Sequence, residues 1–128
     1  MHTKVIQSTN APAPIGPYNQ AIAANGMLYI SGQIALVPGE DTLQQDSLEA
    51  ETTQVMNNLQ AILTEAGISF EHVVKTTIFL NDMNHFAAVN AVYATYFSAH
   101  FPARETVAVL GLPRGVRVEI SMMAVLPS

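Results

Sequence analysis

The sequence contains no cysteine. Without thiols the chain can form no disulfide and can offer no thiolate as a nucleophile or metal ligand. This excludes disulfide-stapled secreted domains and cysteine-dependent enzymes, and it favours a cytoplasmic protein. The first ten residues lack the apolar core of a secretory signal, and no uncharged stretch is long and apolar enough for a membrane helix. We therefore expect no membrane partner.

Charge is also scarce. Charged side chains make up 12% of the residues, which is about half of what a typical globular domain carries. Such a neutral surface favours an oligomer in which part of it is covered. The net charge is −5, and only five residues are basic. Because a phosphate backbone is held by clustered Lys and Arg, we expect no nucleic-acid partner.

Patterns that would hold a metal or an organic cofactor are missing as well. The four histidines are not spaced as metal ligands usually are. They are His2, His72, His85 and His100. No glycine-rich phosphate loop occurs, and Ser31 lacks the G-x-S-x-G context of a hydrolase nucleophile. The sequence therefore predicts no cofactor.

What is present is a chain of 128 residues, 49% of them hydrophobic. This predicts one domain over residues 1–128 with a substantial core. Short β-branched runs alternate with two helical patterns, an order typical of an α+β fold. We predict a mixed six-stranded sheet with both helices on one face. The predicted strands are residues 4–7, 20–24, 27–34, 73–80, 105–112 and 116–126.

Local signals set the ends of several elements. Asn25-Gly26 predicts a type I′ hairpin turn, because both central positions of that turn need a positive φ. The first helix is expected to begin near Asp46, which has capping-box spacing to Glu49, and to end before Gly67. A second helix is expected after Asn81 or Asp82, either of which can cap it.

The last predicted strand alternates strictly. Val116, Val118, Ile120 and Met122 lie on one face, and the intervening residues lie on the other. The second face still carries Met and Val, so it needs cover although no helix is predicted there. This again points to packing between subunits.

Two charged residues and one glycine stand out as candidates for chemistry. Glu119 lies in an apolar strand, where a carboxylate is costly unless it is paired. It is either a functional acid or a salt-bridge partner of Arg117 or Arg114. Arg104 lies at the entrance of a strand and is either an anion-binding fork or a surface residue paired with Glu105 or another acid. The Ser31-Gly32 pair predicts a bulge or a strand end.

Six blocks of sequence together resemble the Rid (reactive intermediate/imine deaminase) family. They occur in the family's order and cover nearly the whole chain, although each block alone is weakly specific. The blocks are Ile15-Gly16-Pro17-Tyr18, Ile30-Ser31-Gly32-Gln33-Ile34, Lys75-Thr76-Thr77-Ile78-Phe79-Leu80, Phe86-Ala87-Ala88-Val89-Asn90, Phe101-Pro102-Ala103-Arg104 and Val116-Arg117-Val118-Glu119-Ile120.

The resemblance implies a chorismate-mutase-like α+β fold and a homotrimer with three sites in the clefts between subunits. It implies a 2-iminobutanoate/2-iminopropanoate deaminase, which hydrolyses these small-molecule 2-imino acids to 2-oxo acids and ammonia without a cofactor. Arg104 would bind the substrate carboxylate, and Glu119 would handle the hydrolytic water. The other pocket residues it implies are Tyr18, Ser31, Gly32, Asn90 and Thr106.

Thr106 departs from the family pattern, because some members carry Cys at this position. The backbone there can still donate a hydrogen bond, so we expect activity to persist. Glu105 would compete with substrate if it pointed inward, and we therefore expect it to point away. Two other functions remain open: a non-catalytic trimeric sensor of small 2-oxo acids, and an endoribonuclease or translation inhibitor, which the acidic balance disfavours.

Overall fold

A six-stranded mixed sheet carries two helices on one of its faces. The computed structural model describes residues 2–128, so Met1 of the predicted domain lies outside the described residues. The strand order is β1-β2-β3-β6-β4-β5, with all neighbours antiparallel except the parallel pair β4 and β5. This confirms the predicted α+β arrangement. The strands are β1 (Thr3–Ile6), β2 (Ala21–Ala24), β3 (Met27–Gln33), β4 (Val73–Leu80), β5 (Ala103–Ala108) and β6 (Val118–Val125), and the helices are α1 (Leu48–Glu65) and α2 (Phe86–Ala94).

The predicted start of α1 was one residue early. Ser47, not Asp46, is the N-cap, and its side chain accepts a hydrogen bond from the Ala50 amide at 3.0 Å. Both residues suit a cap, and the fold selects the one whose backbone is extended immediately before the first turn. Asp82 caps a 3-10 turn that leads into α2. Within residues 2–128 no helix is both long and apolar enough to cross a membrane.

Strand β5 also differs from its prediction, which began at Glu105 and ran to Leu112. It begins at Ala103 and ends at Ala108, because its parallel pairing with β4 starts opposite Lys75 and stops opposite Leu80, where β4 ends. The Asn25-Gly26 turn is confirmed, with φ angles of 52° and 77° at its two central residues.

The core lies between the helices and one face of the sheet. Val118 and Ile120 of β6 are fully buried, and so are Val55, Leu59 and Ile62 of α1. Each such side chain contributes roughly 1.5–3 kcal/mol by leaving water. The alternation predicted for the last strand is confirmed, since the face without helices exposes large apolar side chains. These include Tyr29 at 46%, Met123 at 39% and Val125 at 43% relative exposure.

Buried polar groups fix the segments that border the candidate site. The Gln20 side chain donates to the Pro12 carbonyl at 2.8 Å and accepts from the Ser8 amide at 2.7 Å, which holds the proline-rich segment against the sheet. Asn58 of α1 donates to the Leu36 carbonyl at 2.9 Å, beyond the end of β3. Because the Gln20 and Asn58 side chains both have hydrogen-bond partners, these bonds offset the cost of burying them.

Candidate active site

One half of the candidate site is a cleft of about 360 Å³ between the proline-rich segment and the end of β3. Tyr18, Ser31, Gly32 and Glu119 contribute to its polar part. Its remaining wall is mostly apolar and is formed by Pro12, Ala13, Ile15, Ile34, Leu36 and Pro113, with Gln20 and Gln33. The structure thus brings four of the predicted site residues together.

A bulge in β3 shapes this cleft. Ile30 pairs with Met122 and Gln33 pairs with Ile120, so three steps along β3 match two steps along β6. The extra residue lies at Ser31-Gly32, which confirms the predicted bulge. At Gly32 an added Cβ would lie 2.9 Å from the carboxyl carbon of Glu119. Only glycine leaves this space for the carboxylate.

Glu119 itself is half-buried and forms no salt bridge with any of residues 2–128. The predicted alternative, a bridge to Arg117 or Arg114, is wrong because both arginines have other partners. Arg117 pairs with the fully buried Glu51 at 2.6 Å, and Arg114 pairs with Asp41 at 2.7 Å. Burial raises the pKa of the Glu119 carboxyl above its ordinary value. Such a group is suited to moving a proton.

The neighbouring hydroxyl groups fix the shape of the cleft. The Ser31 hydroxyl donates to the Asn19 carbonyl at 2.6 Å, which ties the bulge to the preceding loop. The Tyr18 hydroxyl accepts a hydrogen bond from the Ile15 amide at 3.3 Å. Tyr18 remains 46% exposed, so its ring forms an open side of the cleft.

The other half of the candidate site surrounds Arg104 on the edge strand β5. Its guanidinium donates to the Asn90 side-chain oxygen of α2 at 2.7 Å. The guanidinium carbon lies 5.1 Å from the ring centre of Tyr93 and 5.7 Å from that of Phe86. A second open cleft, of about 470 Å³, is lined by Asn90, Tyr93, Ala94, Phe101, Pro102 and Arg104.

No carboxylate among residues 2–128 pairs with Arg104. The alternative of a pair with Glu105 is wrong, because Glu105 contacts Lys75 at 3.1 Å and Thr77 at 2.9 Å on the opposite face of the sheet. Glu105 therefore points away from Arg104, as expected. The Thr77 hydrogen bond and then Lys75 lower the pKa of the Glu105 carboxyl.

Thr106 shares the helix-bearing side of β5 with Arg104, since the two are two residues apart. Its hydroxyl oxygen is buried and has no hydrogen-bond partner within the described part of the chain. A buried hydroxyl without a partner is uncommon, and it is available to a group that enters from outside the chain.

Arg104 and Glu119 do not meet within one chain. Arg104 pairs in register with Thr76, which is buried beneath the helices. Glu119 pairs with Phe79, three residues further along β4. Because side chains alternate along a strand, positions 76 and 79 of β4 face opposite sides of the sheet. Each half-site therefore lies on its own face, Arg104 with Asn90 on one and Glu119 with Tyr18, Ser31 and Gly32 on the other.

Two aromatic residues of the Arg104 half were not predicted as site residues. They are Phe86 and Tyr93 of α2. Their spacing from Asn90, four residues before and three after, places all three on one stripe of the helix and could have marked them. Among residues 2–128 no group of three or more His, Asp or Glu side chains is arranged to hold a metal ion.

The fold and the two clefts define a single-sheet α+β protein with a half-site bordering each face of the sheet. The chain belongs to the Rid family, and its residues 8–126 match the family model described as Endoribonuclease L-PSP. The resemblance drawn from the six sequence blocks is thereby confirmed.

Individual relatives match over nearly their full length. The chain is 56% identical over 130 residues to a RutC family protein of Synechocystis, and the match covers 100% of both chains. It is 49% identical to 2-iminobutanoate/2-iminopropanoate deaminase of Mus musculus, with 95% of this chain and 90% of that protein covered. The crystal structure of YyfA, a Rid family protein of Yersinia pestis, superposes with a TM-score of 0.94 at 46% identity, covering 98% of this chain and 100% of that one.

Proposed function

We propose that this protein is a deaminase that hydrolyses 2-imino acids, typified by 2-iminobutanoate and 2-iminopropanoate, to 2-oxo acids and ammonia. The proposal rests on two charged side chains that have no oppositely charged partner among residues 2–128. Glu119 is a half-buried carboxylate that no cation among residues 2–128 neutralises, and Arg104 is a guanidinium that no described carboxylate neutralises. A 2-imino acid and a water molecule together need one group of each kind.

Arg104 binds the substrate carboxylate in this proposal. Asn90 occupies one of its N–H donors, and arginine has five donors in a planar fork that matches two carboxylate oxygens. Each charge-assisted hydrogen bond contributes about 1.5–3 kcal/mol. Asn90 is a neutral partner, so it orients the fork without cancelling its charge.

Glu119 supplies the acid–base step. Its carboxylate takes a proton from water as the water oxygen bonds to the C=N carbon, and the electron pair of the C=N bond moves to nitrogen. Glu119 passes this proton to that nitrogen and then transfers the proton of the new hydroxyl group to it as well, so the C–N bond breaks to release ammonia while a C=O bond forms. General acid–base assistance of this kind contributes about 10²–10⁴-fold in rate. The raised pKa of Glu119 makes it a stronger base than an ordinary glutamate.

The complete site needs two copies of the chain. Arg104 and Glu119 are on opposite faces of one sheet, so a small substrate cannot touch both within a single chain. A cyclic assembly brings the β5 edge of one copy to the bulge of the next, and three repeats of that contact close a trimer. The exposed apolar face that includes Tyr29, Met123 and Val125 would be covered in that assembly.

The distribution of charge fits an endoribonuclease less well than a deaminase. The family model is described as an endoribonuclease, which would need cations for the phosphate backbone. Of the five basic residues, Lys75, Arg114 and Arg117 are already paired with carboxylates. The name of the mouse relative, a 2-iminobutanoate/2-iminopropanoate deaminase, agrees with the chemistry of Arg104 and Glu119.

A coupled assay tests the proposal. An amino-acid oxidase generates the imine in the presence of semicarbazide, which traps whatever imine escapes hydrolysis. The protein is expected to lower semicarbazone formation in proportion to its concentration, while the 2-oxo acid and ammonia increase together. Unchanged trapping combined with 2-oxo acid binding by calorimetry would contradict the deaminase and favour the sensor.

A further inference from the structure

The guanidinium of Arg104 lies against two rings from one helix. Phe86, Asn90 and Tyr93 occupy positions i, i+4 and i+7 of α2, which is the spacing of a single helix face. All three contact Arg104: Asn90 by a 2.7 Å hydrogen bond, Tyr93 at 5.1 Å and Phe86 at 5.7 Å from ring centre to guanidinium carbon. The whole stripe is thus directed at one side chain.

We infer that Phe86 and Tyr93 are positioning residues of the carboxylate site, whose rings hold the Arg104 guanidinium in its binding orientation. That Arg104 binds a substrate carboxylate rests on the proposed function. That the rings orient its guanidinium is a separate claim, and the two are tested by different measurements.

Tyr93 is itself held in place. Its hydroxyl donates to the Thr76 hydroxyl oxygen at 3.0 Å, and both residues are buried. Burial raises the pKa of Tyr93, so the phenol keeps its proton and remains a donor. Thr76 is also the residue of β4 that pairs in register with Arg104. The ring is therefore fixed to the same level of the sheet as the arginine that it contacts.

Orientation matters because an arginine on an edge strand has many rotamers. Arg104 extends from the edge of the sheet into an open cleft, and a free side chain would lose rotamer freedom on binding an anion. Contacts that restrain the guanidinium beforehand reduce that loss. A cation–π contact at an exposed site corresponds to about two- to fivefold in affinity. Asn90 restrains one N–H group of the guanidinium, and the rings of Phe86 and Tyr93 restrain the orientation of its plane.

The test compares ring removal with ring replacement. Phe86→Leu is expected to raise the Kd for 2-oxobutanoate about two- to fivefold and to raise KM by the same factor, with kcat within about twofold. Phe86→Tyr keeps a ring and should restore the parent values. The NMR order parameter of the Arg104 Nε–Hε bond should fall in Phe86→Leu and recover in Phe86→Tyr. That measurement needs no substrate.

Tyr96→Leu is the matched control. Tyr96 donates a hydrogen bond to Asn57 and packs edge-to-face against Phe70, away from Arg104, so the variant should alter stability without altering Kd or the order parameter. The inference is overturned if Phe86→Leu leaves both quantities unchanged, or if Tyr96→Leu changes them equally. Phe86 is 36% exposed, and Phe86→Met provides the same comparison should the leucine variant fail to fold. Loss of the proposed function would appear separately, as a parent protein that does not hydrolyse the imine.

Discussion

The carboxylate of Glu119 occupies the space that any side chain at Gly32 would need. The glycine is part of the bulge in β3, and the glutamate is on the neighbouring strand β6. The close approach depends on an absent Cβ and not on a special backbone angle, since the positive-φ glycines are Gly26, Gly39, Gly67 and Gly115. The glycine of the bulge therefore provides the space in which the Glu119 carboxylate lies.

Gly32→Ala should displace the Glu119 carboxylate and slow imine hydrolysis at least tenfold. The colliding atoms are the end of a flexible side chain, so the fold should persist with a stability change within about 1 kcal/mol. Gly111→Ala is the matched control, because an added Cβ at Gly111 meets nothing within 4 Å. It should behave like the parent in both assays. If Gly32→Ala hydrolysed the imine at the parent rate, Gly32 would not be needed to position the Glu119 carboxylate.

Glu119→Gln should slow hydrolysis at least tenfold and leave 2-oxobutanoate binding nearly intact. In the proposed mechanism Glu119 must be deprotonated to act as the base, so kcat should fall as the pH decreases through the Glu119 pKa. Because burial raises that pKa, this acid limb should lie above 4.5, the ordinary value for glutamate. A pH series of the coupled assay measures it. A limb that persists unchanged in Glu119→Gln would assign the titration to another group.

The same substitution should change stability in a pH-dependent way. The folded-state pKa of Glu119 is raised, so the folded protein binds the proton more tightly than the unfolded chain and loses stability as the pH rises through that pKa. Glutamine has no such loss. Glu119→Gln should therefore melt higher than the parent at neutral pH, and the difference should vanish below the ordinary glutamate pKa of 4.5.

Glu105→Gln is the control for this melting experiment, because the pKa of Glu105 is shifted in the opposite direction from that of Glu119. Its hydrogen bonds with Thr77 and Lys75 lower the pKa of Glu105, so the charged form is favoured in the folded state. Removing that charge should leave the melting temperature at neutral pH unchanged or slightly lower. A higher melting temperature for both variants would point to a general effect of reduced negative charge.

Arg104→Ala should weaken 2-oxobutanoate binding at least tenfold and reduce turnover in parallel, because both hydrogen bonds to the carboxylate are lost. Arg104→Lys keeps the charge but not the planar fork, so it should fall between the alanine variant and the parent. Calorimetry and the coupled assay measure the two effects. Lys4→Ala removes an exposed cation of β1 and should change neither. Full activity in Arg104→Ala would remove this residue from the site.

Mixing two inactive variants tests whether the site is shared. Light scattering should first give a mass about three times the 13.8 kDa of one chain. In randomly mixed trimers of Arg104→Ala and Glu119→Gln chains, about a quarter of the sites combine an intact arginine from one copy with an intact glutamate from another. Co-expression should restore about that fraction of activity. Mixed trimers without activity would contradict the shared site.

The sequence by itself determined the elements whose signals are local. Strand β4 has the predicted bounds, the Asn25-Gly26 turn has the predicted positive φ angles, and β6 alternates as predicted. These features follow from the period of a strand and from the sterics of a turn, which act within a few residues. The family blocks also selected Arg104 and Glu119 without knowledge of their surroundings.

Only the tertiary structure decided which groups are neutralised and which are free. Arg117 is the near neighbour of Glu119 in sequence, yet it pairs with Glu51 of α1, 66 residues away. Arg104 is adjacent to Glu105, yet alternation along β5 directs the two to opposite faces. Whether Arg104 and Glu119 share a face depends on the registers of β4 with β5 and with β6. Those registers are set by pairing between distant strands, which no local pattern specifies.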